Sequence, residues 1–210
     1  MEDTIDMVVR AYPWLWPRIY AYLRTLILPI SEVEKALPAT GNILDVGCGY
    51  GVTTAYFALK STDRTVFGSE LVDKRVSTAR EVFKNIPNSR FEVNNLLDDH
   101  GETFDAIIAI DLLHHINGPE KENFFNSCRK RLCVNGLLII KDIDKTPIHK
   151  YYINYLHDTL FTRFSKLYFI SAIDMRNMIE RSGFQTIDQK PLKSLFYPHV
   201  IYVCKKIKDE

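Results

Sequence analysis

The residues best equipped for chemistry lie between positions 43 and 51, where the chain reads I-L-D-V-G-C-G-Y-G. An apolar run ends in Asp45, glycines alternate at 47, 49 and 51, and a helical pattern starts at Val52. Without Cβ atoms, the glycines let a ligand lie against main-chain N–H and C=O groups. The helix start adds N–H donors and a partial positive charge, which favour a carboxylate or phosphate. Roughly 20 residues further on, T-V-F-G-S-E ends in Glu70, where a carboxylate can accept hydrogen bonds from ribose hydroxyls. Asp45, Gly47, Cys48, Gly49, Gly51, Glu70 and the adjoining Leu71 are therefore candidate contacts to a ribose-bearing cofactor. His114, His149 and His157 are the candidate general bases, because an imidazole changes charge near neutral pH.

A loop of this kind needs a buried strand on one side and a helix on the other, and the rest of the chain supplies such units in alternation. Helical spacing over 52–60 is followed by a strand at 65–70, a helix over 73–86 and a short strand at 91–93. The nearly all-apolar F-D-A-I-I-A-I at 104–110 reads as a central parallel strand and runs into the L-H-H turn. A helix over 119–133, opened by Gly118-Pro119, leads through a Val134-Asn135-Gly136 turn to a strand at 137–140. Ser171 is a plausible N-cap for a helix over 171–181 with Gly183 beyond its end. Strands at 184–189 and 200–206 close the chain. The expected fold is α/β: a Rossmann-like, seven-stranded, mostly parallel sheet with helices on both faces and a C-terminal antiparallel strand pair.

Two segments exceed a minimal fold of this type. Residues 1–40 crowd Tyr12, Trp14, Trp16, Tyr20 and Tyr22 together, and Pro17 suits the first turn of a helix. The apolar stripe Ile19, Leu23, Leu26, Ile27, Ile30 predicts a helix packed on the domain 41–210, or a lid that roofs its site. A helix lying on a membrane surface is a further use of this stripe, with Arg18 and Arg24 its positive charges. A second aromatic-rich segment at about 145–170 carries apolar groups every four residues and predicts a helical insertion. It contains His149 and His157, about 80° apart on a helix at 3.6 residues per turn.

The chain has 210 residues, of which 46% are hydrophobic, enough for one sizeable core. Its 27 basic and 26 acidic residues leave a net charge of +1, so nothing in the balance calls for nucleic acid as a partner. The four cysteines have no C-x-x-C spacing, the acidic start has no signal-peptide character, and no apolar run is long enough to span a bilayer. A reduced, cytoplasmic protein is the expectation. No metal is expected either, since Asp111, Asp142 and Asp144 are carboxylates at strand ends without a ligand pattern.

The spacing of the glycines separates two cofactor classes. In the dinucleotide pattern G-x-G-x-x-G the third glycine would fall at Val52, but here it comes one residue early. Asp-x-Gly-x-Gly-x-Gly instead resembles motif I of the class I S-adenosylmethionine (SAM) methyltransferases. Glu70, Asn94-Asn95-Leu96 and the strand-four segment ending in L-H-H agree with that family in order and spacing, over residues about 42 to 142. The resemblance implies SAM as cofactor, with S-adenosylhomocysteine (SAH) as product. It places Asn95 and Leu96 at the adenine, with an amide where the family more often has a carboxylate, and the main chain of Ile110 and Asp111 at the methionine part. His114, following strand four, becomes the first choice of base. The strand-four stretch resembles that of small-molecule SAM methyltransferases, which implies a small-molecule acceptor, and the absence of the Asn/Asp-Pro-Pro-aromatic signature of nucleobase N-methyltransferases lowers the DNA and protein-amide readings. The aromatic segments suggest an aromatic or lipid-like acceptor methylated on oxygen. An NAD-dependent oxidoreductase, a non-catalytic protein that kept the fold, and a protein or RNA acceptor remain as alternatives.

Overall fold

The computed structural model describes residues 3–95, 101–145, 167–192 and 198–207. At its centre is β1 (Gly41–Val46), whose last four side chains are all buried because the strand is covered on both faces. β2 (Arg64–Glu70) and β4 (Phe104–Ile110) flank it in parallel. β3 (Ser89–Val93) extends the sheet beyond β2, and β5 (Leu132–Ile143) extends it beyond β4. β7 (His199–Lys206) adds antiparallel to β5, and β6 (Phe184–Pro191) antiparallel to β7. The order is β3-β2-β1-β4-β5-β7-β6, as expected of a seven-stranded sheet with a closing antiparallel pair.

Side chains alternate across the strands and so divide the core in two. Ile43, Ile108 and Ile139 face one side, where α1 (Thr4–Arg10), α4 (Val52–Lys60) and α5 (Asp73–Val82) contribute Val8, Phe57 and Ala79, with Tyr12 just beyond α1. Leu44, Ile107 and Leu138 face the other, where α6 (Gly118–Arg131) and α7 (Ala172–Arg181) contribute Phe125 and Ile179. Each isoleucine or leucine buried in this way removes enough apolar surface to contribute about 1.5–3 kcal/mol. Strand order reverses between β1 and β4, and such a switch point leaves a crevice at the carboxyl ends of the strands.

Several expected elements differ in detail. The third helix ends at Val82 rather than 86, because Phe83 leaves the helix to pack on Tyr12 and Phe91. The 134–136 turn is a bulge inside β5: Leu132 pairs with Phe104 and Leu137 with Ala106, and Asn135 takes φ 66°. Asparagine tolerates that conformation, so the strand makes its detour without breaking. Ser171 caps α7 by accepting from the Asp174 N–H at 3.1 Å, and Gly183 takes φ 83° just beyond it, both as expected.

The N-terminal segment departs furthest. It forms α1, α2 (Leu15–Ile27) and a short α3 (Ile30–Glu34), and α2 buries Ala21. Of the expected stripe, Ile19 and Leu23 are exposed, whereas Ile30, at the start of α3, is buried in the core. The helical insertion expected at about 145–170, with His149 and His157, lies almost entirely outside the described residues, as does Leu96. No helix among the described residues is long and apolar enough to cross a membrane.

Candidate active site

The loop between β1 and α4 is built by its neighbours. Asp45 is buried, and its Oδ2 accepts from the Thr53 and Thr54 hydroxyls at 2.6 and 2.7 Å. It therefore ties the end of β1 to the first turn of α4. Burial raises its pKa despite the two hydroxyl donors. The N–H groups of Gly47 and Cys48 both donate to the Ser69 carbonyl, at 2.8 and 3.0 Å. Two of the main-chain donors that the sequence offered to a ligand thus hold the loop against β2.

The three glycines divide their work. At Gly51 (φ +87°), a Cβ would sit 2.7 Å from Phe91 Cε1 and 2.9 Å from Ala79 Cβ, so this glycine is required by packing. At Gly49 (φ +58°), a Cβ would meet, among the described residues, only the Tyr20 hydroxyl, 3.7 Å away. Gly49 is the bare point of the loop. The Cys48 thiol is buried, and burial raises its pKa well above the ordinary thiol value, so it is part of the wall and not a nucleophile.

Helix α2 covers this point. The Tyr20 ring meets the Tyr50 ring edge-on at 5.3 Å, and the Tyr12 hydroxyl donates to the Tyr50 carbonyl at 2.8 Å. One turn beyond Tyr20, the Arg24 charge acts on Asp45, Asp111 and Lys141. Tyr20 was one of the aromatic residues of the expected lid, whereas Arg24 was not assigned to the site from sequence. The available clue was that Arg24 sits one turn beyond Tyr20, at the margin of the apolar stripe.

Glu70 ends β2 with its Oε1 accepting from the Val72 N–H at 3.0 Å and its Oε2 3.4 Å from the exposed Arg75 guanidinium. This fixes the carboxylate at the strand tip. Leu71 beside it is 68% exposed, and Val93, the register partner of Glu70, is also exposed. Together they give an apolar ledge between β2 and β3. Asn95 follows that ledge and is half-buried.

A polar cluster occupies the ends of β4, β5 and β7. Ile110 is buried, and Asp111 adopts φ 51°, a left-handed conformation that costs a non-glycine residue about 1–2 kcal/mol. Lys141 holds it there: the Asp111 N–H donates to the Lys141 carbonyl at 2.8 Å, and the Lys141 ammonium meets Asp111 Oδ1 at 2.5 Å. Burial opposes ionisation of Asp111, but Lys141, His199, Arg24 and His114 outweigh it and hold its carboxyl well below the usual range.

His114 lies in a 3-10 turn, 3% exposed, with its ring stacked 5.1 Å from that of Phe169. Its Nδ1 is 2.5 Å from Asp142 Oδ1, and its N–H donates to Asp142 Oδ2 at 3.1 Å. The Ile143 N–H donates to the same carboxylate at 2.8 Å. Burial would raise the Asp142 pKa, but His114 more than reverses that and lowers it. His199, buried at the start of β7, completes the cluster. Lys141, Asp142 and His199 were not assigned to the site from sequence. The signal was charge directly after L-L-I-I in a strand that stays buried through Ile143. Among the described residues, no group of three or more His, Cys, Asp or Glu side chains could hold a metal ion.

A switch-point crevice, a bare glycine and a strand-tip carboxylate are the features of a nucleoside-binding methyltransferase fold, and similarity to known proteins agrees. A family model described as a methyltransferase domain matches residues 16–189. The chain belongs to this SAM-dependent methyltransferase family. SAM is the family's cofactor, and the NAD-dependent alternative is set aside. The chain is 30% identical over 131 residues to the mitochondrial ubiquinone biosynthesis O-methyltransferase of Bos taurus, covering 59% of this chain and 34% of that protein. It is 32% identical over 131 residues to the ribosomal protein L11 methyltransferase of Lactobacillus johnsonii, covering 60% of this chain and 39% of that one. The chain thus spans well under two thirds of these relatives' own lengths, and their acceptors differ in kind. Among solved structures, a magnesium protoporphyrin IX methyltransferase from Synechocystis PCC 6803 with bound SAH superposes with a TM-score of 0.67 at 17% identity. That match covers 98% of this chain and 89% of the other, and shows the fold.

Proposed function

We propose that this chain moves the methyl group of SAM to an oxygen of a small, aromatic or lipid-like acceptor, with residues 1–40 forming the roof of its site. The observation that carries the reading is the open space over Gly49 at the switch point, where among the described residues a Cβ would meet the Tyr20 hydroxyl alone, at 3.7 Å. When bound, SAM supplies a methyl on a positively charged sulfur, whose transfer requires little beyond an in-line approach. In this reading Gly49 and the loop from Asp45 to Gly51 receive the amino-acid tail, and Arg24 meets its carboxylate. Glu70 accepts from the ribose. Leu71, Asn95 and Leu96 frame the adenine, and the main chain of Ile110 and Asp111 borders the methionine part. The donor set fits the cofactor: a cation, an anchored carboxylate and an apolar ledge meet a carboxylate, a ribose and a purine in that order.

His114 is the group proposed to take the acceptor's proton. Asp142, itself clamped by two N–H groups, fixes the ring through Nδ1 and stabilises the imidazolium. Nε2 is then the nitrogen that a substrate hydroxyl would meet. His149 and His157 stay candidates for lining the same pocket. The name of the bovine relative supports oxygen as the atom methylated. The free cysteines fit a reducing compartment such as the cytoplasm.

Calorimetric titration with SAM, SAH and NADH tests the binding half. SAM and SAH are expected to bind and NADH not to, and binding of NADH alone would overturn the reading. A screen of phenols, carboxylates and lipids for SAH release tests the catalytic half. Tight SAM binding without turnover on any acceptor would favour the non-catalytic alternative.

A further inference from the structure

Helix α2 is amphipathic the wrong way round for a helix that packs on a domain. At about 100° per residue, Leu15, Trp16, Ile19, Tyr22 and Leu23 fall within an arc of roughly 120°. All five are exposed, Leu15 to 73% and Trp16 to 80%. The buried Ala21 lies opposite this arc, and Tyr20 and Arg24 lie on that inner side over the glycine loop. Single exposed apolar residues are ordinary, but five contiguous ones, including a tryptophan, mark a contact surface.

Charge indicates what the surface meets. From Met7 to Ser31 there is no Asp or Glu, while Arg10 and Arg18 stand outside the cradle. Arg18 is exposed, and its guanidinium donates to the carbonyls of Tyr12 and Arg10, fixing positive charge at the edge of the arc. The next acid along the chain, Glu32, is already engaged by Lys35 and Lys190. A second copy of this chain is a poor occupant, because the same patch would face itself, bringing arginines together with no acid in residues 7–31 to offset them. An anionic bilayer surface satisfies both features: aromatic and aliphatic groups enter the headgroup boundary, and the arginines meet phosphate.

We propose that the outward face of α2 docks the protein on anionic lipid membranes. The inner face of the same helix roofs the cradle, so docking would place the crevice beside the bilayer, where an apolar acceptor dissolves. The docking itself does not depend on the methyl-transfer reading, and its test contains no cofactor. Both tryptophans of the chain, Trp14 and Trp16, lie at the head of α2, so tryptophan emission, excited beyond the tyrosine band, reports on this end of the helix alone.

The experiment adds vesicles of phosphatidylcholine, with or without a minority of phosphatidylglycerol, to the full chain. The expected result is a blue shift and cosedimentation with the anionic vesicles, both weakened by salt. The Leu15→Ser/Leu23→Ser double variant should lose affinity by about tenfold or more, and Trp16→Ser should weaken it with Trp14 still reporting. Calorimetry with SAM should be unchanged in these variants, separating failed docking from failed cofactor binding. No shift and no cosedimentation of the wild type would overturn the proposal. So would undiminished binding by the double variant, or a dimer that the double variant makes monomeric and that ignores vesicles.

Discussion

Gly49 and Gly51 both have positive φ, yet alanine at each should fail in a different way. At Gly51 the added methyl meets Phe91 Cε1 at 2.7 Å and Ala79 Cβ at 2.9 Å. Phe91 stacks on Phe83, which packs edge-on against the buried Tyr12, so that ring has nowhere to go. Overpacking of this sort costs about 1–3 kcal/mol. The left-handed backbone adds about 1–2 kcal/mol, for a loss of roughly 2–5 kcal/mol. At Gly49 the same methyl is in ordinary contact 3.7 Å from a tyrosine hydroxyl, leaving only the backbone cost of about 1–2 kcal/mol. In the proposed reading that methyl would, however, stand where the cofactor's tail approaches bare main chain. SAM affinity is expected to fall at least about tenfold, equivalent to about 1.4 kcal/mol. Urea unfolding gives the first quantity for each variant, and calorimetric titration with SAM at low temperature gives the second. The reasoning fails if Gly49→Ala is the less stable of the two, or if it binds SAM as the wild type does.

Four further outcomes follow from the polar groups. Burial, then the neighbouring Lys141 charge, pushes the His199 imidazole down to about 3. The unfolded chain protonates that histidine near pH 6.5 while the native one does not, so stability falls as pH drops below about 6.5, by about 2 kcal/mol between pH 7.5 and 5. Urea titrations of His199→Gln should show that part of the slope gone, and an unchanged slope would refute it. If His114 is the base, His114→Gln should lower turnover by about a hundredfold or more with SAM affinity retained. Asp142→Asn should move the acid limb of the pH–rate profile downward, because the imidazolium loses its counter-charge; a stationary limb would reduce Asp142 to a structural role. Arg24→Gln should weaken SAM by about tenfold while leaving methylthioadenosine, which lacks the carboxylate, unaffected. Equal losses for both ligands would remove Arg24 from the carboxylate.

The sheet was legible because its information is local. Apolar runs such as 104–110 and the glycine loop state their own conformation, and β1 to β7 fall where the pattern places them. What stayed hidden depends on pairing across the sequence. Nothing within Lys141-Asp142 says that a strand continues through charge; only Asp111 and His114, some 30 residues earlier at the end of β4, make those charges bearable in a buried place. The loop shows the same limit, since alternating glycines promise bare donors, yet the Ser69 carbonyl from the next strand takes two of them. Helix α2 is the sharpest case. Its apolar stripe was visible, but periodicity reports only that one face differs from the other, not which face turns inward. Here the tethering of Tyr12 to Tyr50 and the smallness of Ala21 bring the alanine side down onto the loop. A bulky residue at position 21 would hold the helix off, and Tyr20 and Arg24 would leave the cradle with it. In the proposed reading the outward stripe is therefore the consequence of a roof that must sit close, and its exposed leucines and tryptophan are left for another surface to cover.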